Sequence, residues 1–228
     1  ARDVSEWAMN TEYHKIQTVF LRDPATNHRT LLEGQFTLPC FEYLKDNPWV
    51  FTEKVDGTNI RIDCQIPQHH DDEYKVMCLG RTDEAQMPPR LGAALLEIVY
   101  PVKYDLKKLF PAGATLYGEG YGATIQKGGG NYRTTPSFVL FDVFCGGMWL
   151  ERHNVEDIAA KLGIQVVPII GEGTLGEMVE RARAGIISQW GDFQAEGIVA
   201  RPKCELLTRN GHRVITKIKT KDFTKPRP

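Results

Sequence analysis

The segment Lys54-Val55-Asp56-Gly57-Thr58-Asn59 combines a nucleophile with a means of holding it still. Its lysine closes the apolar run Trp49–Val55, and the Asp56-Gly57 pair that follows is a hairpin-type turn signal. A neutral lysine amine in such a place can attack the α-phosphorus of a nucleoside triphosphate and form a phosphoramidate. A free pKa of about 10.4 leaves only ~0.04% of the side chain neutral at pH 7, so a working site must depress it by burial or nearby cations. A bare Lys-x-Asp-Gly-x-Asn string arises by chance in roughly one chain in five hundred of this length. The plain alternative is a surface hairpin with a flanking lysine.

Other residues in the chain have matching types. Glu119 lies among glycines in Tyr117-Gly118-Glu119-Gly120, and Phe141 sits inside the apolar run Phe138–Phe144. Glu196 precedes Gly197-Ile198-Val199, and Lys217 and Lys219 alternate around Ile218, which places both on one face of a strand. Arg81 follows the apolar run Tyr74–Leu79. Each has an ordinary reading too: Phe141 as core, Glu119 as a loop residue, the two lysines as the exposed face of an edge strand. His69-His70-Asp71-Asp72 has metal-binding residue types, but neighbours at a hairpin tip point apart. Gly128-Gly129-Gly130 lacks the P-loop pattern and reads as a flexible loop. Gly118-x-Gly120-x-Gly122 is not the dinucleotide fingerprint, since no βαβ unit surrounds it.

Taken in order, these segments resemble the motifs of the covalent nucleotidyltransferases: DNA ligases, RNA ligases and mRNA capping enzymes. Lys54–Asn59 resembles the first motif and Tyr117–Gly120 the third, whose carboxylate binds the ribose. Phe138–Val143 is similar to the next, where an aromatic ring stacks on the base. Glu196–Val199 resembles the fourth, whose Glu assists metal binding, and Lys217–Lys219 the fifth, whose lysines contact the α-phosphate. Asn59, where DNA ligases and capping enzymes usually carry arginine, resembles the RNA ligase branch that seals nicks in duplex RNA and includes the RNA-editing ligases. The stretch Ile125–Gly128 and the Phe223 that closes the fifth motif resemble that branch as well.

The resemblance implies an ATP-dependent RNA ligase acting in RNA repair, with Lys54 taking AMP from ATP and passing it to a 5′-phosphate end that a 3′-hydroxyl then seals. It implies ATP and Mg²⁺ (or Mn²⁺) as cofactors, and RNA ends or a nicked duplex as partner. Lys54, Lys217 and Lys219 would be catalytic; Glu53, Asn59, Arg81, Glu119 and Phe141 would contact the nucleotide; Glu196, with Glu119 or Asp142, would hold the metal. The chemistry suits ATP: Phe141 offers a stacking face, Glu119 accepts from ribose hydroxyls, and Lys217, Lys219 and Arg81 neutralise the α-phosphate. The alternatives are an ATP-dependent DNA ligase and an inactive module that binds nucleic-acid ends.

The elements that must position these residues read as an α+β domain of many short antiparallel strands with covering helices. The resemblance makes this the nucleotidyltransferase domain of the ATP-grasp-like DNA/RNA ligase type. Strands are expected at Trp49–Val55, Thr58–Ile66, Tyr74–Leu79, Thr115–Tyr117, Ser137–Phe144, Val166–Ile170, Gly197–Ala200 and Val214–Ile218. Gly118–Gly130 reads as a glycine-rich loop, and Cys145–Met148 as a tight hairpin. Helices are expected at Leu91–Tyr100, Val155–Leu162 (N-cap Asn154) and Leu175–Ala184 (N-cap Thr174).

Composition sets the outer limits. With 228 residues, 42% hydrophobic and 25% charged, the chain suits one globular domain, 1–228, with 1–47 an N-terminal extension packed on a 48–221 core. Tyr13, His14, Lys15 and Phe20 of that extension are candidate stacking or phosphate contacts, beside ordinary core and surface roles. No run of about 18 apolar residues is present, which argues against a membrane span. The start Ala1–Val4 lacks a secretory layout, and five scattered cysteines without a CxxC pair suit a reducing compartment, the cytoplasm. Net charge is −1, yet Arg201–Pro228 carries nine basic residues, Lys225 among them, against Glu205 and Asp222. Only nine residues follow Lys219, too few for the OB or helical domain that continues many relatives. A minimal ligase, a piece of a longer chain and a protein reliant on a partner are the three accounts of this.

Overall fold

In the computed structural model, residues 12–65 and 74–223 are described; His69–Asp72 and Lys225 lie outside them. The chain forms two compact units, each assembled from separated stretches. One, the Lys54 unit, combines 15–55 with the run from Val167 onward; the other, the Asn59 unit, combines the run ending at His14 with 56–166. Among the described residues no helix is long and apolar enough to cross a membrane.

The Lys54 unit opens with β1 (Gln17–Thr18), β2 (Phe20–Arg22), β3 (Leu31–Phe36), α1 (Pro39–Tyr43) and β4 (Trp49–Lys54). The chain then builds the Asn59 unit from β5 (Thr58–Gln65), β6 (Lys75–Gly80), α2 (Pro89–Val99), α3 (Lys103–Leu109), β7 (Ala114–Tyr121), α4 (Gly129–Tyr132), β8 (Ser137–Cys145), β9 (Met148–Trp149), α5 (Arg152–Leu162) and β10 (Gln165–Val166). It returns to the Lys54 unit for β11 (Ile169–Gly173), α6 (Leu175–Ala184), β12 (Gly197–Pro202) and β13 (Thr216–Lys219).

In the Lys54 unit the sheet runs β1-β13-β12-β4-β11. Only β1 is parallel to its neighbour; the other pairs are antiparallel. Alternation puts Trp49 and Phe51 of β4, Ile198 and Ala200 of β12, and Ile218 of β13 into one apolar cluster. α6 covers it with Leu175, Met178, Val179 and Ala182. Each large side chain buried there contributes roughly 1.5–3 kcal/mol of transfer free energy. The opposite face of the sheet is thereby left for Thr52, Lys54, Lys217 and Lys219. α6 starts where expected: Thr174 and Glu177 form a reciprocal capping box.

In the Asn59 unit the sheet runs β10-β8-β7-β5-β6, with β9 paired to β8. Ile60, Ile62 and Cys64 of β5 join Leu116, Phe138 and Leu140 in a core covered by α2, α3 and α5. Asn59, Arg61 and Asp63 therefore lie on the other face. The α+β class with mainly antiparallel sheets agrees with the sequence reading. So does the hairpin at Gly146-Gly147, where Cys145 pairs with Met148.

Several local expectations are corrected. Gly118–Tyr121 is not loop but the second half of β7, because Gly118 and Gly120 pair with Ile60 and Thr58. The apolar stretch Val166–Ile170 is divided: Val166 pairs in one sheet and Ile169 in the other, with Pro168 and its missing donor at the break. α5 begins at Arg152 with extended Glu151 as N-cap, so Asn154 lies inside the first turn. The residues before Trp49, which show only breakers in sequence, supply β1–β3 and α1.

Candidate active site

Lys54 is the last residue of β4, directly opposite Gly197 on β12, and Gly197 is opposite Lys219 on β13. Residues paired across strands share a face, so Lys54, Gly197 and Lys219 form one row. The middle position carries no side chain, so the space between the two lysine side chains is left to a neighbouring residue. Glu196 fills it: Lys54 Nζ donates to Glu196 Oε2 at 2.5 Å, and Lys219 Nζ approaches Glu196 Oε1 at 2.6 Å. Thr220 fixes the carboxylate's backbone, its N–H donating to the Glu196 carbonyl at 2.9 Å and its hydroxyl to the Ala195 carbonyl at 3.0 Å. Burial alone would raise the Glu196 carboxyl, but the charges and hydrogen bonds of Lys54 and Lys219 outweigh it and hold it below the usual range.

Gly197 is a requirement of packing. A Cβ there would run into the Ile218 carbonyl and the Lys219 Cα. Gly197→Ala must therefore push β12 and β13 apart, at a cost of about 1–3 kcal/mol. For a chain of this size that predicts a melting temperature lower by roughly 2–10 °C by circular dichroism. An unchanged melting curve would show that the strands tolerate the separation.

Lys217 lies one row away, opposite Val199, and shares the face of Lys219 between buried Thr216 and Ile218. Burial first, and then the like charges of Lys54 and Lys219, push its ammonium down to about 8. Three cations thus converge on this face against one carboxylate, an arrangement that an anionic ligand would relieve.

Glu53, expected among the nucleotide contacts, points to the opposite face and is 1% exposed. It accepts from Ser188 Oγ at 2.6 Å and from the Gln189 N–H at 2.8 Å, so both oxygens are engaged within the unit. Desolvation raises its carboxyl despite those bonds. Its position ties β4, with Lys54 at the end, to the segment that leads into Glu196.

In the Asn59 unit, β5 places Asn59 opposite Glu119 of β7. Ile60 pairs with Gly80 at the end of β6, so exposed Arg81 follows at the same end of the sheet. Register thus collects three expected nucleotide contacts, which are 60 residues apart in the chain at the extremes of Asn59 and Glu119. Among the described residues Asn59 Oδ1, which is buried, has no hydrogen-bond partner. Gly57 sits so close to β7 that a Cβ would strike the Gly120 carbonyl and Glu119. The segment after β7 secures the turn: the Tyr132 hydroxyl accepts from the Asp56 N–H at 3.2 Å, and Gln126 Nε2 donates to the Gly57 carbonyl at 3.3 Å.

Strand β8 departs from simple alternation beside Phe141. Tyr117 pairs with Asp142 and Gly118 with Leu140, so Phe141 is the extra residue of a β-bulge. Alternation from Phe138 and Leu140 already turns Phe141 away from the apolar core, and the bulge keeps Asp142 out as well while Val143 returns inward. Phe141 is half-buried, edge-on to Tyr13 with ring centroids 5.0 Å apart. Asp142 is fully buried and accepts from the Tyr13 hydroxyl at 2.6 Å. Among the described residues no group of three His, Cys, Asp or Glu side chains is placed to hold a metal. Sequence reading missed Ser188, Gln189 and Tyr132, whose partners are 135, 136 and 76 residues distant and leave no local signal.

A family model described as RNA ligase matches residues 47–219, a span that contains Lys54, Asn59, Arg81, Glu119, Phe141, Glu196, Lys217 and Lys219 but not the candidate contacts of the N-terminal extension. Among solved structures, an apo mutant of Naegleria gruberi RNA ligase is similar with a TM-score of 0.63 and 17% identity, covering 95% of this chain and 57% of that one. The same enzyme with PPi gives 0.62 and 17%, covering 93% and 57%. A mutant of it with ATP and Mn gives 0.62 and 17%, covering 93% and 56%. At this identity the likeness is one of fold, and the chain spans a little over half the length of these solved relatives. No curated protein sequence matches it.

Proposed function

Because the chain belongs to the RNA ligase family, whose model spans 47–219, we propose that it takes AMP from ATP onto Lys54 and uses it to join RNA ends. The observation that carries this reading is the row Lys54–Gly197–Lys219 with Glu196 between the two ammonium groups. A strand-end amine held by a carboxylate, with two further lysines on its face, suits attack on a phosphate.

In the first step Lys54 Nζ, having lost a proton, forms a bond to the α-phosphorus as the bond to the β-phosphate oxygen breaks and pyrophosphate departs. A 5′-phosphate oxygen then displaces Lys54, and a 3′-hydroxyl displaces AMP to leave a phosphodiester. Lys217 and Lys219 neutralise charge on the α-phosphate, and Glu196 orients the amine. Asn59, Glu119 and Arg81 contact ribose and phosphate, and Phe141 gives the base a stacking face. Glu53 holds the Ser188–Glu196 segment in place.

A carboxylate has about four lone-pair positions, so Glu196 keeps acceptor capacity beyond its two lysines. That fits a Mg²⁺ or Mn²⁺ ion that keeps mostly phosphate and water ligands and takes one carboxylate oxygen. Such an ion would supply charge neutralisation at the phosphates.

The test uses protein already carrying AMP and compares nicked duplexes with RNA or DNA on the 3′-hydroxyl side. Faster sealing on the RNA side is expected, on the strength of Asn59 in the first motif. Preferential sealing of all-DNA nicks would make the protein a DNA ligase, and efficient labelling by GTP alone would move it to the capping class.

A further inference from the structure

The cations of the Lys54 unit extend well past the nucleophile. A cleft of about 960 Å³ runs along the β1–β13 edge of the sheet. Lys217 and Lys219 line one part of it; Lys15, Arg22, Arg29 and Lys221 line the rest, together with His28. Asp222 is the one carboxylate among the lining residues, and it is already committed to Arg22 at 2.9 Å and to the Lys219 N–H at 3.0 Å. Six cationic side chains in one cleft, on a chain of net charge −1, mark a local field and not a property of the whole surface.

The local chain geometry serves this concentration. β1 pairs in parallel with β13, Thr18 opposite Lys217, which brings the Lys15 end of the chain alongside the fifth-motif lysines. After β2, the turn Pro24–Thr26 ends in two consecutive left-handed residues, Asn27 and His28, which reverse the chain and set Arg29 at the cleft. Thr37 Oγ1, also in the lining, is buried and has no hydrogen-bond partner among the described residues. Ile16 and Leu21 supply apolar wall.

We propose that this cleft is the track for the RNA strand that ends in the 5′-phosphate, its backbone phosphates lying along Arg29, Lys221, Arg22 and Lys15 and its end arriving at Lys217 and Lys219. The proposal rests on the RNA-ligase reading. The second step requires an approach of this kind, since the 5′-phosphate must reach the phosphorus held on Lys54. Pyrophosphate is a poorer fit: it is short, and two of the six cations already neighbour the α-phosphate position. A strand with a phosphate every few ångströms uses the full row. Apolar wall beside the cations suits sugar and base faces.

The experiment uses the full chain and a short 5′-phosphorylated RNA, with binding read by fluorescence anisotropy over a range of salt. Arg29→Glu with Lys221→Glu is expected to weaken binding at least tenfold. Losing two phosphate contacts should also reduce the salt slope by about 1.4, at roughly 0.7 per contact for single strands. Arg29→Gln with Lys221→Gln should show a smaller loss of the same kind. Lys107→Glu with Lys108→Glu on exposed α3 makes the same change in net charge and should alter binding less than twofold.

Unchanged RNA affinity in the cleft variants, or an equal loss in the α3 pair, would overturn the proposal. So would equally effective competition by polyglutamate, which would make the cleft a surface for acidic chains. Self-adenylylation with labelled ATP is measured on the same preparations. A fall there with RNA binding intact would assign the cleft to pyrophosphate. Wild-type protein that binds RNA through the cleft but never takes up AMP would remove the ligase reading and leave the cleft standing.

Discussion

Lys54→Ala protein incubated with ATP and magnesium is expected to carry no AMP, while wild-type protein gains one adduct per chain. The effect should be complete, because the substitution removes the bond-forming atom and not a contributor to its environment. Lys219 is the alternative amine on the same row, bound to the same carboxylate. It cannot simply take over. Lys54 ends a strand and reaches Glu196 from β4, whereas Lys219 comes from β13, two strands away, and meets the other carboxylate oxygen. An α-phosphorus placed for in-line attack from one side is misaligned for the other, and small misplacements cost about a hundredfold in rate. Intact-protein mass spectrometry with peptide mapping decides the matter. An unchanged adduct in Lys54→Ala, on Lys219 or elsewhere, would sink the assignment of the nucleophile.

The second large effect concerns Lys217 and Lys219. Each mutation to alanine should slow adduct formation about a hundredfold, the loss of roughly 3 kcal/mol of transition-state stabilisation expected for one aligned donor. Lys203, which forms an exposed pair with Glu172 at 2.9 Å, gives the comparison: Lys203→Ala should change the rate less than twofold. Lys219→Ala also frees one Glu196 oxygen and raises that carboxyl, so its effect includes a disturbed Lys54–Glu196 pair. Equal and mild losses at all three positions would favour general surface charge over a built phosphate site.

Lys217 adds a pH signature, because burial and its cationic neighbours hold it at about 8. In the free protein it loses its charge as pH climbs through that value, whereas a bound triphosphate favours the charged form. ATP affinity should therefore fall as pH rises from about 7 to about 9, and binding should take up a proton in that range. Folding stability moves the other way. Between about 8 and the ordinary value of 10.5 the unfolded chain holds the proton and the native chain does not, so stability from this group rises with pH there. The cost of the buried charge is full below that window. Calorimetry with an unreactive α,β-methylene ATP measures the binding arm. Lys217→Arg, which stays charged, should flatten the pH dependence. A flat wild-type profile would show that Lys217 does not meet the triphosphate.

Local chemistry was legible wherever it depends on neighbours in the chain. Trp49–Lys54 is a strand because it is a run of β-branched and aromatic residues, and Asp56-Gly57 breaks it, so a lysine at a strand end follows from the residues alone. The capping box at Thr174 and Glu177, the Cys145–Met148 hairpin and the shared face of Lys217 and Lys219 are of the same kind. A shared role for Glu119, Phe141 and Glu196 rests only on the resemblance in motif order, since nothing in the spacing of residues 22 to 77 apart fixes a contact.

What the tertiary structure decided is where alternation was overridden and which polar groups were used up. Asp142, which alternation from Phe138 and Leu140 would turn into the apolar core, stays out of it because one extra residue was inserted opposite Tyr117 and Gly118, an event of strand register. Glu53 is adjacent to the nucleophile and carries a reactive side chain, yet strand alternation turned it inward, where Ser188 and Gln189 from a distant segment consumed both oxygens. Gly197 matters for the side chain it lacks, visible only once Lys54 and Lys219 stand on either side of it. The same holds for the cleft, whose cations come from the two ends of the chain and share an edge because β1 pairs with β13. A residue's type and local pattern are properties of the sequence, but its partners are set by strand pairings that cost chain entropy to close and are stabilised only when the whole sheet forms.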